Sequence, residues 1–316
     1  MIAIKKPKKY DFSLERNPIE MEDVHANLPG YKNAFRIETV DCKDLTVETF
    51  HRKYVDTRTP VVIKNACKSW TAFEKWEEGY LRETIGEQKI LVTKCLLLDF
   101  LLHAANEKLS KKAYWALREK WAENLSMSDY LDLCTTKYDP KGCLYARDVE
   151  LPREILEDIE PYDFYEGNIQ GQTWFVGCKT YTDSHEHHGA DAFLNQVRGT
   201  KEVIMHPSDP EHYKAMYSDP ALRLWSPVRF FDVDLERFPL FEHSKPQLAV
   251  VEPGDSLFIP DAWWHSVQSF DSKLSITVTQ WCDPPWLDLS ILQTRIQLLE
   301  QPLTTLRNFW KFGVKL

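Results

Sequence analysis

Three of the ten histidines have a spacing that could bind a metal ion. His185 and His187 are separated by one residue, and residues i and i+2 of a β-strand point to the same side of the sheet. His265 follows the sequence Pro-Asp-Ala-Trp-Trp and begins another predicted strand. Three protein ligands on one face of an ion leave other coordination positions open for a substrate, a co-substrate or dioxygen. The spacing therefore predicts a metal site that consists of His185, His187 and His265.

A block of predicted β-strands surrounds these histidines. Between residues 168 and 282, short runs of β-branched and aromatic residues are separated by Pro, Gly and Asp turns, which is typical of an all-β unit. Eight short strands suit a closed barrel or a double-sheet roll. The predicted strands cover residues 173–178, 180–187, 192–198, 201–206, 247–251, 256–260, 264–269 and 273–281.

The segments outside this block give other patterns. Residues 1–40 are mixed and polar, and we expect an arm on the surface. Val61–Ile63 is a predicted buried strand, and helical periodicity follows at 72–85 and 111–133, where the aromatic residues are expected to pack in the core. Leucines and isoleucines recur at helical spacing in 286–316. This spacing predicts C-terminal helices that form either a lid or the face of a homodimer.

A long insert, residues 208–246, separates the predicted strands of the all-β block. It combines aromatic side chains with arginines, which could form either a substrate groove or a packed flap, and we favour the flap. These residues are Trp225, Phe230, Phe231 and Phe238, with Arg223, Arg229 and Arg237.

Composition limits the function classes. A chain of 316 residues with 43% hydrophobic residues can form one domain with a large core. The net charge of −9 and the lack of a long Lys/Arg run argue against a direct nucleic-acid partner. No apolar stretch reaches about 18 residues and no secretory signal is recognised, so we expect no membrane partner and a cytoplasmic or nuclear location. The seven cysteines are scattered, which is typical of reduced thiols.

Three separated blocks of the sequence resemble the Jumonji C (JmjC) hydroxylases, and most of all their small members. The blocks are Phe193–Pro207, Val251–Val267 and Ser275–Trp281, and they agree with the family in order and spacing. The resemblance implies a mainly β fold with helical additions, in which a double-stranded β-helix of the cupin or jelly-roll type forms the core. It implies a JmjC domain over residues 41–285 with a metal-binding core at 168–282.

The resemblance also implies cofactors and roles. Members of the family hold Fe(II) through His-x-Asp/Glu and a distal histidine, and 2-oxoglutarate chelates the iron. Carried over, the first ligand is His185 and the distal ligand is His265. Lys201 matches the lysine that pairs with the distal carboxylate of 2-oxoglutarate. Thr182 matches a hydroxyl residue near the co-substrate. Tyr181, Thr279 and Trp281 are expected to form the pocket wall or the barrel core.

Two positions depart from the family pattern. His187 stands where Asp or Glu is expected, so that the ligands give a site of net charge +2 where the family has +1. Facial three-histidine sites on cupin folds resemble those of thiol dioxygenases, which do not use 2-oxoglutarate, and they also bind Zn, Ni or Cu. Ala192 stands where the family has an asparagine near 2-oxoglutarate.

Two other ligand sets stay open. A register shifted by one residue would use Glu186 and His188, which share the opposite face of the strand. Asp183 with His185 would restore two histidines and one carboxylate, in reversed order. We favour His185 and His187 because this choice keeps histidine as the first ligand.

The leading functional hypothesis is an Fe(II)- and 2-oxoglutarate-dependent oxygenase, a hydroxylase that acts on a protein side chain or a small molecule. One alternative is a three-histidine metal enzyme that does not use 2-oxoglutarate. Another is a non-catalytic JmjC binding module with a vestigial metal site. A histone demethylase is the less favoured subtype, because the sequence shows no zinc-finger cysteine pattern.

Overall fold

The computed structural model describes residues 24–94, 122–136, 144–217, 222, 224–230, 233–269, 274–285, 287–288 and 314–315. Most of these residues belong to β-strands, with short helices between them. Within these ranges, no helix has both the length and the apolar character that crossing a membrane requires.

The strands are β1 (Phe35–Arg36), β2 (Thr39–Asp41), β3 (Val61–Lys64), β4 (Lys89–Lys94), β5 (Ala122–Ser126), β6 (Leu144–Glu150), β7 (Ile169–Gly177), β8 (Tyr181–His185), β9 (Asp191–Arg198), β10 (Lys201–His206), β11 (Gln247–Val251), β12 (Ser256–Ile259), β13 (Trp264–Ser269), β14 (Ser275–Cys282), β15 (Leu287–Asp288) and β16 (Val314–Lys315). The α-helices are α1 (Val47–Phe50), α2 (Thr71–Lys75), α3 (Glu78–Ile85), α4 (Met127–Thr136) and α5 (Pro210–Ala215). Short 3-10 helices cover His25–Asn27, Tyr31–Asn33, Cys42–Asp44, Arg153–Asp158 and Pro239–His243, and a π-helical turn covers His51–Val55.

The strands form two large sheets. One has the order β1-β11-β10-β13-β8, and the other has the order β2-β3-β12-β9-β14-β7-β6-β4-β5. The eight predicted strands of the all-β block correspond to β7–β14, four in each sheet. This is the double-sheet roll that the sequence predicts, and the mainly β fold with helical additions is confirmed.

Strand alternation divides the apolar residues into three clusters. In β9, Ala192 and Leu194 face the interior between the sheets, where they meet Val203 and Met205 of β10. Phe193, between them in sequence, faces the outside of the larger sheet, where the helices cover it. A third cluster, which includes Phe230 and Phe241 of the 208–246 insert, covers the outer face of the smaller sheet. Successive side chains of a strand point to opposite faces, so the central strands of both sheets, such as β9 and β10, are buried on two sides.

The helical predictions in the first half are confirmed in part. The predicted helix at 72–85 is two helices, α2 and α3, which are separated at Trp76 and Glu77. Of the predicted helix at 111–133, residues 111–121 lie outside the described residues. The helix prediction is wrong for residues 122–126. These residues form β5, which pairs with β4, so that Leu125 lies opposite Ile90. The helix begins only at Met127, where Ser126 Oγ accepts a hydrogen bond from the Asp129 N–H and caps it.

Only parts of the predicted N-terminal arm and C-terminal helices lie within the described residues. Of the predicted arm, residues 24–40 are described, and β1 pairs in parallel with β11. Most of the predicted C-terminal helices at 286–316 lie outside the described residues. The two described pieces, β15 and β16, pair with each other as short parallel strands, so these positions are not helical.

Phe50 joins the helical layer to the larger sheet, and its removal is expected to destabilise the fold. It is fully buried, and its ring contacts the rings of Phe164, Phe193 and Phe258 at centroid distances of 5.2, 5.8 and 5.3 Å. A Phe50→Ala substitution leaves a cavity among these rings and should lower the free energy of unfolding by about 3–5 kcal/mol. Urea unfolding followed by tryptophan fluorescence measures this loss, and a change under 1 kcal/mol would contradict the packing described here.

Candidate metal centre

The three predicted metal ligands come together at one end of the interior between the sheets. The ligand atoms of His185, His187 and His265 all lie within 4.8 Å of one another. Their ring centroids are 4.2 Å apart for His185 and His265, 4.4 Å for His187 and His265, and 5.5 Å for His185 and His187. Among the described residues, this is the one cluster of three or more histidine, cysteine or carboxylate ligands that could hold an ion.

A bulge in β8 places Thr182 and His185 on the same side. His265 lies opposite His185, and Val267 lies opposite Thr182. Thr182 and His185 are three residues apart in β8, whereas Val267 and His265 are only two residues apart in β13. A β-bulge inserts one extra residue in this way and changes which side chains point inward. His187 follows the end of β8, and its carbonyl oxygen accepts a hydrogen bond from the Ala262 N–H at 2.9 Å.

The hydrogen bonds around the rings fit a metal site. Nδ1 of His185 lies 2.9 Å from the Asp183 carbonyl oxygen, and Nδ1 of His265 lies 2.9 Å from the Trp263 carbonyl oxygen. A carbonyl can only accept, so Nδ1 carries the proton in both rings and Nε2 keeps a lone pair for an ion. Nδ1 of His187 is buried and has no hydrogen-bond partner within the described residues. Two oriented imidazoles and one with an unpartnered buried nitrogen suit a divalent transition metal.

Burial keeps these histidines neutral, as metal ligation requires. Burial and then the neighbouring histidines lower the pKa of His185 and His187 well below the ordinary value. Burial lowers the pKa of His265 to about 4, and the Trp263 carbonyl partly opposes that shift. A protonated imidazole has no lone pair for a metal, so the lowered pKa values keep all three rings available at neutral pH.

Two tryptophans enclose the histidine cluster. The Trp225 indole stacks on the His185 ring at 4.4 Å with an interplanar angle of 13°, and Trp281 meets His187 edge to face at 4.5 Å. The backbone holds Trp225 in place, because the Ser226 N–H donates to the Ser184 carbonyl and the Glu186 N–H donates to the Leu224 carbonyl. Part of the 208–246 insert thus pairs with the ligand strand and covers it, in agreement with the flap that we favoured from the sequence.

The cluster opens into a cavity of about 520 Å³ that also contains Lys201. Lys201 is 2% exposed, and its Nζ donates a hydrogen bond to Tyr145 Oη at 3.3 Å. Nζ also lies 5.6 Å from the centroid of the Phe175 ring. Within the described part of the chain, no carboxylate lies within ion-pair distance of this ammonium group. A buried ammonium without a carboxylate partner favours an anionic ligand in this cavity.

The other predicted pocket residues divide between the cavity and the opposite face. Thr182, Thr279 and Trp281 line the cavity, as does Ala192, where the family pattern has asparagine. Tyr181, which we expected in the pocket wall or the barrel core, is not among the residues that line the cavity. Tyr181 pairs with Gln268 beyond the bulge, and its buried ring lies on the outer side of the sheet, 6.1 Å from the His25 ring. The bulge separates its face from that of Thr182.

The two alternative ligand sets do not form clusters. Glu186 and His188 both line the cavity, but neither belongs to the cluster of ligand atoms around His265. Asp183 is buried and contributes its backbone carbonyl to His185 rather than a carboxylate to the cluster. Of the registers considered, the geometry brings together His185, His187 and His265.

Several cavity residues lie outside the region that sequence reasoning marked as the metal-binding core. Tyr145 and Arg147 come from β6, and Leu91 and Thr93 come from β4. These strands extend the larger sheet beyond β7, and nothing in their sequence pattern marks them as part of a site. Only the pairing of β6 with β7 brings Tyr145 close to Lys201.

Comparisons with known proteins agree with this architecture. The cupin-like domain family matches residues 47–286. Relatives include lysine-specific demethylase 8 of Danio rerio (28% identical, covering 78% of this chain and 58% of the relative), lysine-specific demethylase JMJ30 of Arabidopsis thaliana (29%, 74% and 52%) and the human bifunctional peptidase and (3S)-lysyl hydroxylase JMJD7 (23%, 79% and 84%). The chain spans little more than half the length of the first two. The extent of the family match, the double-sheet roll and the position of the histidine cluster show that this chain belongs to the cupin-like JmjC domain family.

Proposed function

We propose that this protein is an Fe(II)- and 2-oxoglutarate-dependent oxygenase, a hydroxylase that acts on a protein side chain or a small molecule. The observation that carries the proposal is the presence of two complementary groups in one cavity. A three-histidine cluster can hold a divalent metal, and the buried ammonium of Lys201 can hold a carboxylate. Relatives named as a demethylase and a lysyl hydroxylase support oxidative chemistry on this fold.

The strand register supports a ligand with two anionic ends. Lys201 pairs with Ser269, and Met205, four residues further along β10, pairs with His265. Four residues of a strand cover about 13 Å. The Lys201 side chain extends over part of this distance, and a dicarboxylate that also contacts the metal would extend over the rest. Thr182 and Thr279 line the cavity and offer hydroxyl groups to such a ligand.

The roles of the chain's own residues follow from this arrangement. His185, His187 and His265 would hold the metal, which, together with the co-substrate, would activate dioxygen for the oxidation of a C–H bond. The carbonyls of Asp183 and Trp263 fix the orientation of two ligand rings. Trp225 and Trp281 cover these rings and limit the access of water to the site.

Anaerobic titration tests the proposal directly. The metal-free protein is titrated with Fe(II) and then with 2-oxoglutarate, and the weak visible charge-transfer band of the chelated complex is recorded. We expect the band to appear with the wild-type protein and to saturate with 2-oxoglutarate. No band at millimolar 2-oxoglutarate, with Fe(II) bound, would contradict co-substrate use.

A His187→Asp variant is the matched comparison, because it restores the usual carboxylate. If only this variant shows the band, the native three-histidine site uses a metal without 2-oxoglutarate. The three-histidine donor set favours this alternative, a metal enzyme that does not use 2-oxoglutarate. Three neutral ligands give the metal site a higher net charge than two histidines and a carboxylate would. A wild-type protein that binds neither Fe(II), Co(II) nor Zn(II) would instead support a non-catalytic module.

A further inference from the structure

The loop that carries His187 and the turn that precedes His265 meet at one buried carboxylate, that of Asp261. Its Oδ1 accepts a hydrogen bond from the Gly189 N–H at 2.8 Å, and its Oδ2 accepts one from Arg58 Nη2 at 2.8 Å. The Asp261 side chain is 1% exposed and that of Arg58 is 10% exposed. Both carboxylate oxygens are therefore used, one by the loop after His187 and one by Arg58.

Short connections join this carboxylate to two of the ligands. The Ala262 N–H, next in sequence, donates to the His187 carbonyl at 2.9 Å. The Asp261 N–H donates to Asp191 Oδ1 at 2.7 Å, which closes the loop on its far side. Two residues after Asp261, the Trp263 carbonyl accepts from Nδ1 of His265 at 2.9 Å. A displacement of the turn at residues 261–263 would therefore move the backbone at His187 and the carbonyl that orients His265.

Arg58 makes three contacts with this turn from a distant part of the chain. Its Nη2 donates both to the Asp261 carboxylate and to the Asp261 carbonyl, the latter at 2.7 Å, and its own carbonyl accepts from Trp263 Nε1 at 3.0 Å. Its backbone has φ of 52°, a conformation that a residue with a side chain rarely adopts. Such strain persists where surrounding contacts impose it, often near functional sites.

We propose that Arg58 and Asp261 form a clamp that fixes His187 and His265 in ligating positions. The proposal rests on the metal-binding part of the proposed function. Arg58 is a positioning residue, since it acts through Asp261 and does not contact the cluster. A buried ion pair of this kind contributes little net stability, but the loss of one partner leaves an uncompensated charge that displaces the surrounding groups. Partners that orient metal ligands contribute about 10- to 100-fold to metal affinity.

The test compares Arg58→Met with a matched variant, Lys64→Met. Lys64 also pairs with a buried carboxylate, that of Asp255, at 2.6 Å with side-chain exposures of 34% and 3%, and neither residue lines the cavity. Both variants remove a cation from a buried aspartate, so both should lower Tm. We expect only Arg58→Met to weaken Co(II) or Zn(II) binding, by about 10- to 100-fold, measured by calorimetry and by the visible spectrum of bound Co(II).

The outcomes separate the clamp from the wider proposal. Arg58→Met with wild-type affinity, or Lys64→Met with an equal loss of affinity, would overturn the clamp while the metal site stands. A wild-type protein that binds no divalent metal would overturn the metal function itself. Arg58→Lys keeps the positive charge but lacks the planar guanidinium group, and it should recover part of the metal affinity that Arg58→Met loses. If Arg58→Met does not fold, Arg58→Gln becomes the test, because glutamine keeps a hydrogen-bond donor for the Asp261 carbonyl without the charge, and wild-type affinity in that variant would overturn the clamp.

Discussion

A Lys201→Met variant should bind 2-oxoglutarate at least about 100-fold more weakly than the wild-type protein and should keep its affinity for the metal. The buried ammonium of Lys201 has Tyr145 Oη as its hydrogen-bond partner and no carboxylate nearby within the described residues. If 2-oxoglutarate supplies the missing carboxylate, removing the cation leaves that charge unpaired in the cavity, which costs about 3–5 kcal/mol. The affinity is measured from the charge-transfer band of the anaerobic Fe(II) complex.

Stability distinguishes this role from a structural one. Methionine has a similar length and no charge, so the metal-free variant should be as stable as the wild type or more so. Lys53→Met is the control for lost charge, because Lys53 forms an exposed pair with Glu38 away from the cavity. If Lys201→Met lowers Tm by several degrees and leaves the band unchanged, Lys201 supports the barrel and does not bind the co-substrate.

The sequence predicts the all-β block well because two-residue alternation is a direct consequence of strand geometry. The eight strands predicted between 168 and 282 agree with β7–β14 to within a few residues at each end. The same alternation places Lys201 on the face of Val203 and Met205, which point into the interior between the sheets. His187 is different, because β8 ends at His185 and His187 reaches the cluster from the loop that follows.

Alternation fails where a strand is irregular. In a regular strand Tyr181 and His185 would point to the same face of the sheet. The bulge in β8 adds one residue between them, so that Thr182 points to the face of His185 and Tyr181 points to the other face. Sequence motifs alone give no signal for the extra residue. The resemblance to JmjC hydroxylases did mark Thr182, because it carries over a position in the family pattern and does not depend on strand parity.

Contacts between distant elements are the other part that sequence reasoning missed. Tyr145 and Arg58 belong to segments with no chemical motif, and they reach the site only through tertiary structure. The boundary at residues 126 and 127 was missed for a related reason. The apolar residues continue from β5 into the helix that begins at Met127, and their spacing did not show where the strand ends and the helix begins. Local patterns predict elements, whereas the partners of a buried charge depend on the whole fold.

The metal-free protein should lose stability as the pH falls below 6.5, the ordinary pKa of histidine. Burial is the largest cause that lowers the pKa of six histidines, to about 3 for His206 and about 4 for His265. The other four are His25, His185, His187 and His188. Below pH 6.5 the unfolded chain binds protons that the folded chain excludes, so each histidine lowers stability by about 1.4 kcal/mol per pH unit until its folded pKa is reached. Asp191 acts in the opposite direction, because burial raises its pKa to about 7 and the folded state holds that proton as the pH falls.

A His206→Leu variant isolates one of these protons. His206 is fully buried beside Phe230 and Phe241, and neither ring nitrogen has a hydrogen-bond partner within the described residues. Leucine therefore removes the titration without breaking a hydrogen bond.

The free energy of unfolding of His206→Leu at pH 7 should be equal to that of the wild type or higher, and its fall between pH 6 and pH 4 should be shallower by about 1.4 kcal/mol per pH unit. Urea unfolding at a series of pH values measures the slope, with the exposed His243→Leu as control. An unchanged slope for His206→Leu would mean that water or another group reaches this ring in the folded protein, whereas a shallower slope would show that the buried His206 contributes to the loss of stability in acid.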